Sequence, residues 1–264
     1  AGAQLVITCD TGITSHEALA LAQSRGVEVI VTDHHLLGQE FPPARACITP
    51  HLLPANHPFA GLPGVGVAYQ LALALLRRAG RSGEADNLPD LVALGIVADV
   101  AQQTGDTRYL LQRGLVALRR TRRPGLLAIM ELAEVNPANL SEEHIGFAIG
   151  PPLNALGRLD DANPAVELLT TNDAERARVL ALQLEGLNAR RQLLTSQVVQ
   201  AAIAQVDRDP ALLDSPVLVL DNPNWPAGVI GIAASALVER YRRPVNLLAS
   251  PPGRPTHGSA RSVD

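Results

Sequence analysis

Acidic and histidine side chains follow two short apolar runs near the start of the chain. Asp10 comes directly after the run Leu5–Cys9, and Asp33, His34 and His35 come directly after the next one. In an open parallel sheet, ligands bind at the carboxyl ends of the strands, so these side chains are expected to share one edge. Carboxylate oxygens together with imidazole nitrogen suit Mn²⁺ or Mg²⁺, and Zn²⁺ less well. The pattern favours a metal or phosphate site.

A third acid, Asp99, ends the apolar helical run Leu91–Ala98. The helix dipole disfavours an acid at the C-terminal end of a buried helix, so Asp99 calls for a compensating cation. Asp10 alone is more often a turn residue or a helix cap, because Asp hydrogen-bonds its own backbone there. The metal interpretation therefore depends on the combination of these acids with the adjacent histidines.

The elements that must position these residues alternate between strand and helix. Strands predicted at Leu5–Cys9 and Val27–Thr32 enclose a helix that ends at about Arg25, which makes a parallel βαβ unit. The pattern also predicts a strand at 46–49 and helices at 66–79, 89–100, 108–119 and 124–133. An unbroken helical pattern covers 174–206, and a helix of that length, roughly 50 Å, more often bridges two bodies than packs within one. A second α/β block follows it, with strands at 217–220 and 245–248 around a helix at 229–241.

Composition excludes several classes of protein. The 264 residues are 47% hydrophobic with a formal net charge of -4, which excludes a wholly disordered chain. No run reaches the roughly 18 apolar residues of a membrane span, and the sequence does not open with a basic n-region followed by an apolar h-region. Two cysteines are too few for a disulfide framework, which indicates a reducing compartment. We expect a cytoplasmic protein that does not bind a membrane.

Several short sequence motifs resemble those of one family. Thr32-Asp33-His34-His35, preceded by Thr8–Gly12, is similar to the signature of the DHH phosphoesterase superfamily. Longer motifs resemble those of its RecJ branch of single-strand-specific 5′→3′ exonucleases: Leu94–Val100, Gly150–Arg158, Trp225–Ile232 and Gly258–Ser262. The resemblance covers essentially the whole chain, in family order.

The resemblance implies roles for the first cluster. Asp10, His34 and Asp99 correspond to metal ligands, and two divalent ions, Mn²⁺ or Mg²⁺, are expected. Asp33 is expected to orient its neighbouring histidine, and His35 to face the scissile phosphate. The family supplies further carboxylates from an Asp-x-Asp motif on an earlier strand. That motif lies upstream of the first residue of this sequence, so we expect the sequence as given to hold the metals incompletely and to be inactive alone.

The resemblance also implies substrate-binding residues. Ser259 and Arg261 are expected to contact a phosphate, because small residues, hydroxyls and a guanidinium give close, directed donors. Asn154 and Arg158, in a loop rich in Gly and Pro, are further polar candidates, and a plain turn with an exposed Arg is an equal alternative there.

Two positions depart from the family pattern, and one glycine-rich segment does not fit a known motif. Pro226 stands where relatives usually have His, which puts a substrate role there in doubt. Pro152 stands where they often have Arg, which removes one phosphate contact. Gly61–Gly66 fits neither the dinucleotide nor the Walker pattern, so it predicts a tight turn and close helix packing.

The sequence thus predicts an α/β protein. We expect a parallel-sheet DHH domain at 1–172, a connecting helix at 173–210, and a smaller α/β DHH-associated domain at 211–264, with a cleft between the two domains. The implied activity is metal-dependent 5′→3′ hydrolysis of single-stranded DNA to 5′-mononucleotides in repair and recombination, with single-strand-binding protein or helicase as partners. Two alternatives stay open: a DHH phosphoesterase of short oligonucleotides or nucleotide bisphosphates, and a catalytically silent DHH scaffold at the replication fork.

Overall fold

Helices and strands alternate through most of the chain. The computed structural model describes residues 2–159 and 161–263, apart from the side chains of 158 and 159. The α-helices are α1 His16–Ser24, α2 Gly64–Arg78, α3 Pro89–Ala98, α4 Gly105–Leu118, α5 Pro124–Leu132, α6 Glu142–His144, α7 Gly150–Leu159, α8 Asn163–Thr170, α9 Ala174–Arg208 and α10 Ala227–Tyr241. None of the helices in these residues is long and apolar enough to cross a membrane.

A parallel sheet of three strands positions the acid and histidine residues. Its order is β1 (Leu5–Cys9), β2 (Glu28–Thr32) and β3 (Ala46–Ile48). The last residues of β1 and β2 pair with each other in register, Cys9 with Thr32. The segments that follow the two strands therefore start side by side, as the βαβ pattern predicts.

The chain divides into two compact units. Unit 1 comprises the chain up to Arg122 together with Ala133–Gly150, and unit 2 comprises Arg123–Leu132 and the chain from Pro151 onward. Unit 1 contains the first sheet, whose buried side chains include Val29 and Val31. The domain bounds expected from the sequence, 1–172, 173–210 and 211–264, stay a prediction.

Unit 2 contains the long helix and a second sheet. In this sheet β4 (Leu218–Asn222) runs parallel to β5 (Val245–Ala249), and β6 (His257–Arg261) runs antiparallel to β5. Helix α9 is 35 residues long, and the Asp173 side chain caps it by accepting from the amides of Glu175 and Arg176. The C-terminal half of α9 packs on this sheet and on α10 through Val198, Ala202 and Val206. The α/β class, the parallel sheet and the long helix are confirmed.

The segment that contains Asn154 and Arg158 is a helix, and the predicted loop is wrong. Pro151 and Pro152 suggested a loop, but they lie inside a continuous helical stretch, 142–159, that consists of α6, a π-helical turn and α7. A π-helical turn, Ile145–Ile149, directly precedes α7.

Candidate metal centre

The imidazole of His34 lies between two carboxylates in unit 1. Its Nε2 atom is 3.1 Å from Oδ1 of Asp10 and 3.5 Å from Oδ2 of Asp99. Asp10 follows β1, His34 follows β2, and Asp99 ends α3, so three separate elements supply the three side chains. The structure therefore brings together the three residues that the sequence predicts as metal ligands. One ligand atom each of Asp10, His34 and His35 also lie within 4.8 Å of one another.

The hydrogen bonding and electrostatics of this cluster fit a bound cation. Nε2 of His34 is buried and makes no hydrogen bond within the described residues, although carboxylate oxygens of Asp10 and Asp99 lie 3.1 and 3.5 Å from it. Burial raises the pKa of Asp10; the His34 imidazole opposes this rise, and the Asp99 carboxylate adds to it. Two carboxylates around an imidazole nitrogen that makes no hydrogen bond within the described residues are the donor set that a divalent metal takes, so the residues present fit such an ion.

Asp33 is the buried anchor of the segment after β2. Its side chain is only 1% exposed, and its Oδ1 accepts bonds from the amides of His34 (2.8 Å) and His35 (3.2 Å) and from Nδ1 of His35 (2.7 Å). Its Oδ2 accepts from the amide of Ile13 at 3.0 Å. Burial acts to raise the pKa of Asp33, but these hydrogen bonds outweigh it and lower that pKa. The carboxylate thus fixes both histidines as an ionised acceptor.

His35 is held at one ring nitrogen and open at the rest of the ring. Its hydrogen bond to Asp33 raises the pKa of the imidazole, and burial opposes this only partly. The side chain is more than half exposed. Because Nδ1 is committed to Asp33, Nε2 is the atom that can reach a ligand.

Two further residues support the cluster, and sequence reasoning did not find them. His51 lies just after β3, and its Nε2 lies 2.9 Å from the carbonyl oxygen of His34, so it holds the backbone of that residue. Gly64 begins α2 against the Asp10 carboxylate, where an added Cβ would lie 2.2 Å from Oδ1. The glycine-rich segment 61–66 was visible in the sequence, but no pattern connected it with Asp10. A single histidine after Pro50 carries no signal.

The candidate phosphate residues lie in unit 2. Ser259 and Arg261 are two residues apart on β6, and Nη1 of Arg261 donates to Oγ of Ser259 at 3.1 Å. Both side chains lie against Gly231 of α10, where an added Cβ would be 2.9 Å from Nη2 of Arg261 and 3.0 Å from Oγ of Ser259. Asn154 is exposed on α7. The Arg158 side chain falls outside the described part of the chain.

Comparison with known proteins identifies the family. Residues 3–96 match the DHH family, N-terminal domain. The chain belongs to the DHH family. This DHH chain is 42% identical over 276 residues to the single-stranded-DNA-specific exonuclease RecJ of Dickeya dadantii, with 99% of the chain and 48% of the relative covered. It is 40% identical to the protein of the same name from Bacillus subtilis, covering 99% of the chain and 33% of the relative.

Solved structures agree with the DHH assignment over both units. The crystal structure of exonuclease RecJ bound to manganese matches at 36% identity with a TM-score of 0.83, covering 99% of this chain and 63% of that one. RecJ from Thermus thermophilus in complex with Mn²⁺ matches at 37% identity with a TM-score of 0.84, covering 98% of this chain and 38% of that one. This DHH chain is of the RecJ type in sequence and fold, and it spans between a third and a half of the length of the curated relatives it matches.

Proposed function

We propose that this chain is the catalytic part of a metal-dependent exonuclease that degrades single-stranded DNA from its 5′ end to 5′-mononucleotides. One observation carries the proposal: the unpartnered Nε2 of His34 lies between Asp10 and Asp99, at 3.1 and 3.5 Å, in a chain of the RecJ type. The relatives are named single-stranded-DNA-specific exonucleases, and their crystal structures hold Mn²⁺ or Mg²⁺.

In this proposal Asp10, His34 and Asp99 hold the divalent metal, Mn²⁺ or Mg²⁺, as part of a centre of two ions. When bound, the metal supplies an activated water and neutralises charge that develops on the phosphate. Asp33 keeps His34 and His35 in place through its hydrogen bonds to both backbone amides. His35, held at Nδ1 and open to solvent, donates from Nε2 to the scissile phosphate. Charge-assisted donors of this kind bind phosphate about twice as strongly as neutral ones.

Unit 2 supplies the substrate-binding residues of the proposal. Ser259 and Arg261 are already joined by a hydrogen bond, so the guanidinium and the hydroxyl are ordered before a phosphate arrives. Pre-ordered donors lose less conformational entropy on binding. Asn154 and Arg158 on α7 stay further candidates for contacts to the strand.

The proposed DNA substrate is also the basis for a proposed location and for proposed partner proteins. A protein that degrades single strands in repair and recombination works where the chromosome is, so we propose a cytoplasmic location in a bacterial cell. Single-strand-binding protein and a helicase are the proposed partners, because one covers and the other produces the unpaired strand.

The test is digestion of a labelled oligonucleotide by the full-length protein. With Mn²⁺, we expect 5′-mononucleotides from a single strand and no release from the same sequence in a blunt duplex. His35→Ala should reduce the rate on the order of 10²- to 10⁴-fold, the usual contribution of a positioned proton donor. His57→Ala, at a histidine outside the cluster that accepts a bond from the amide of Phe59 and contacts the Phe59 ring, is the matched control and should keep the wild-type rate. Activity that is confined to dinucleotides, or an absence of hydrolysis with every metal, would contradict the proposal.

A further inference from the structure

Three apolar side chains in unit 1 are far more exposed than the others. Leu36 is 78% exposed, Phe147 is 83% exposed and Val100 is 88% exposed. Every other large apolar side chain in the described part of the chain is at most 59% exposed. Single exposed apolar residues are ordinary on protein surfaces. The position of these three relative to the metal cluster is what sets them apart.

Leu36 and Val100 directly follow residues of the cluster. Leu36 is the next residue after His35, and Val100 is the next residue after Asp99. Adjacent residues lie about 3.8 Å apart along the backbone, so neither side chain can be far from the site. Since Nε2 of His34 is 3.5 Å from Asp99, the two segments that carry Leu36 and Val100 start from the same place.

The backbone of Val100 is unfavourable for a valine. Its φ is 53°, in the left-handed region, where a β-branched residue is a rare exception. The amide of Val100 bonds the carbonyl of Val97, and the amide of Ala101 bonds that of Ile96, which is the helix-ending arrangement that favours glycine here. An exposed valine gains no packing in return. Strained positions of this kind cluster at functional sites, so the side chain itself is the feature to explain.

Phe147 lies on the segment that packs against the end of α3. It belongs to the π-helical turn Ile145–Ile149, and π turns are frequent at functional sites. An added Cβ on its neighbour Gly146 would lie 3.7 Å from Cγ1 of Val97. Val97 is two residues before Asp99, so the turn holds Phe147 beside the helix that ends in the cluster.

We propose that Leu36, Val100 and Phe147 form an apolar rim that contacts the bases of the unpaired strand next to the scissile phosphate. This inference rests on the proposed function. Unpaired bases expose apolar faces that every sequence shares, so aliphatic and aromatic contacts would hold any single strand without reading it. A stable protein interface needs a larger contiguous area than three side chains give. An anionic membrane would be repelled by the acids that the rim surrounds.

The test compares two strands of equal length that differ only in their bases. Fluorescence anisotropy measures how tightly the full-length protein binds an oligothymidylate of ten nucleotides and an abasic strand of the same length. Ca²⁺ replaces Mn²⁺ to prevent hydrolysis. We expect Phe147→Ala to weaken binding of the oligothymidylate about tenfold, as when one base loses its stacking partner. Binding of the abasic strand and of Mn²⁺ should not change.

Val100→Gly provides a second and sharper variant. Glycine is relaxed at a φ of 53°, so this variant should raise Tm by about 2 °C while it weakens binding of the oligothymidylate several-fold. Glu134→Gly is the matched control, because Glu134 is exposed in unit 1 with the same φ of 53°. It should raise Tm similarly and leave DNA binding unchanged.

The outcomes separate the rim from the proposed function. Wild-type affinity for the oligothymidylate in both variants, or an equal loss for both strands, would overturn the rim even if the protein digests DNA. A wild-type protein that digests no single strand with any metal overturns the proposed function itself. A base-dependent loss in both variants, with unchanged Mn²⁺ affinity, supports the rim.

Discussion

Gly64 and Asp10 are in contact so close that no other residue fits at position 64. An added Cβ there would lie 2.2 Å from Oδ1, 2.6 Å from Cγ and 2.8 Å from Cβ of Asp10. Real Cβ atoms do not approach other atoms this closely, so a side chain at this position would push the carboxylate away. The first residue of α2 thereby sets where the Asp10 carboxylate stands relative to His34.

Gly64→Ala should therefore weaken Mn²⁺ binding without removing any ligand atom. A misplaced ligand has an effect like that of a lost supporting contact, on the order of 10- to 100-fold in metal affinity. Isothermal titration of the full-length protein with Mn²⁺ measures it. Gly66→Ala is the control in the same helix, because the nearest atoms to its added Cβ belong to Leu62, at 2.9 Å from Cδ2, and not to a residue of the cluster. Equal affinities for the two variants would show that Gly64 does not position Asp10.

Asp33→Asn should destabilise the fold as well as the site. An amide cannot accept at both of its positions, so at least one of the donors from Ile13, His34 and His35 loses its partner. A buried hydrogen bond to a charged group contributes about 1.5–3 kcal/mol, and we expect a loss of about that size in the free energy of unfolding. Urea unfolding of the metal-free protein measures it. Asp86→Asn, at an exposed acid, should change the value by less than about 0.5 kcal/mol. A loss that small for Asp33→Asn would contradict the role of Asp33 as a structural anchor.

Arg261→Ala should weaken the use of single strands on the order of ten- to a hundredfold, the size of one charge-assisted contact to a phosphate. Mn²⁺ affinity should stay at the wild-type value, because no cluster residue belongs to unit 2. Single-turnover digestion of a 5′-phosphorylated oligonucleotide measures the effect. The control is Arg254→Ala, at an exposed arginine of the same unit. Digestion at the wild-type rate would reject the phosphate contact, and loss of Mn²⁺ binding would make Arg261 structural.

The ends of β1 and β2 were predictable from the sequence because each strand is a short apolar run and a helix joins the two runs. Leu5–Cys9 is strand from end to end as predicted, and the parallel pairing of Cys9 with Thr32 brings Asp10 and His34 to one edge. Asp99 could be placed only through the resemblance and the helix dipole, since nothing local tells on which side of the sheet α3 ends. The structure puts Asp99 3.5 Å from His34.

The parts that the sequence did not predict depend on contacts between distant segments or on misleading residues. Strand β6 is short and rich in small residues, so it has no apolar alternation, and it exists because it pairs with β5. The prolines of α7 are typical of loops, yet they lie directly after a π-helical turn inside the helical stretch 142–159. The contacts of Gly64 with Asp10 and of His51 with His34 join residues 54 and 17 positions apart, and no local pattern encodes such contacts.

The most direct test of the whole account is Mn²⁺ binding by the full-length protein with and without the imidazole of His34. Electron paramagnetic resonance counts free Mn²⁺ during a titration of the wild type, of His34→Ala and of His57→Ala. The account predicts that His57→Ala binds as the wild type does, and that His34→Ala loses at least about tenfold in affinity together with its hydrolysis of single strands. Wild-type Mn²⁺ affinity in His34→Ala would show that the nitrogen between Asp10 and Asp99 holds no metal, and would contradict the account.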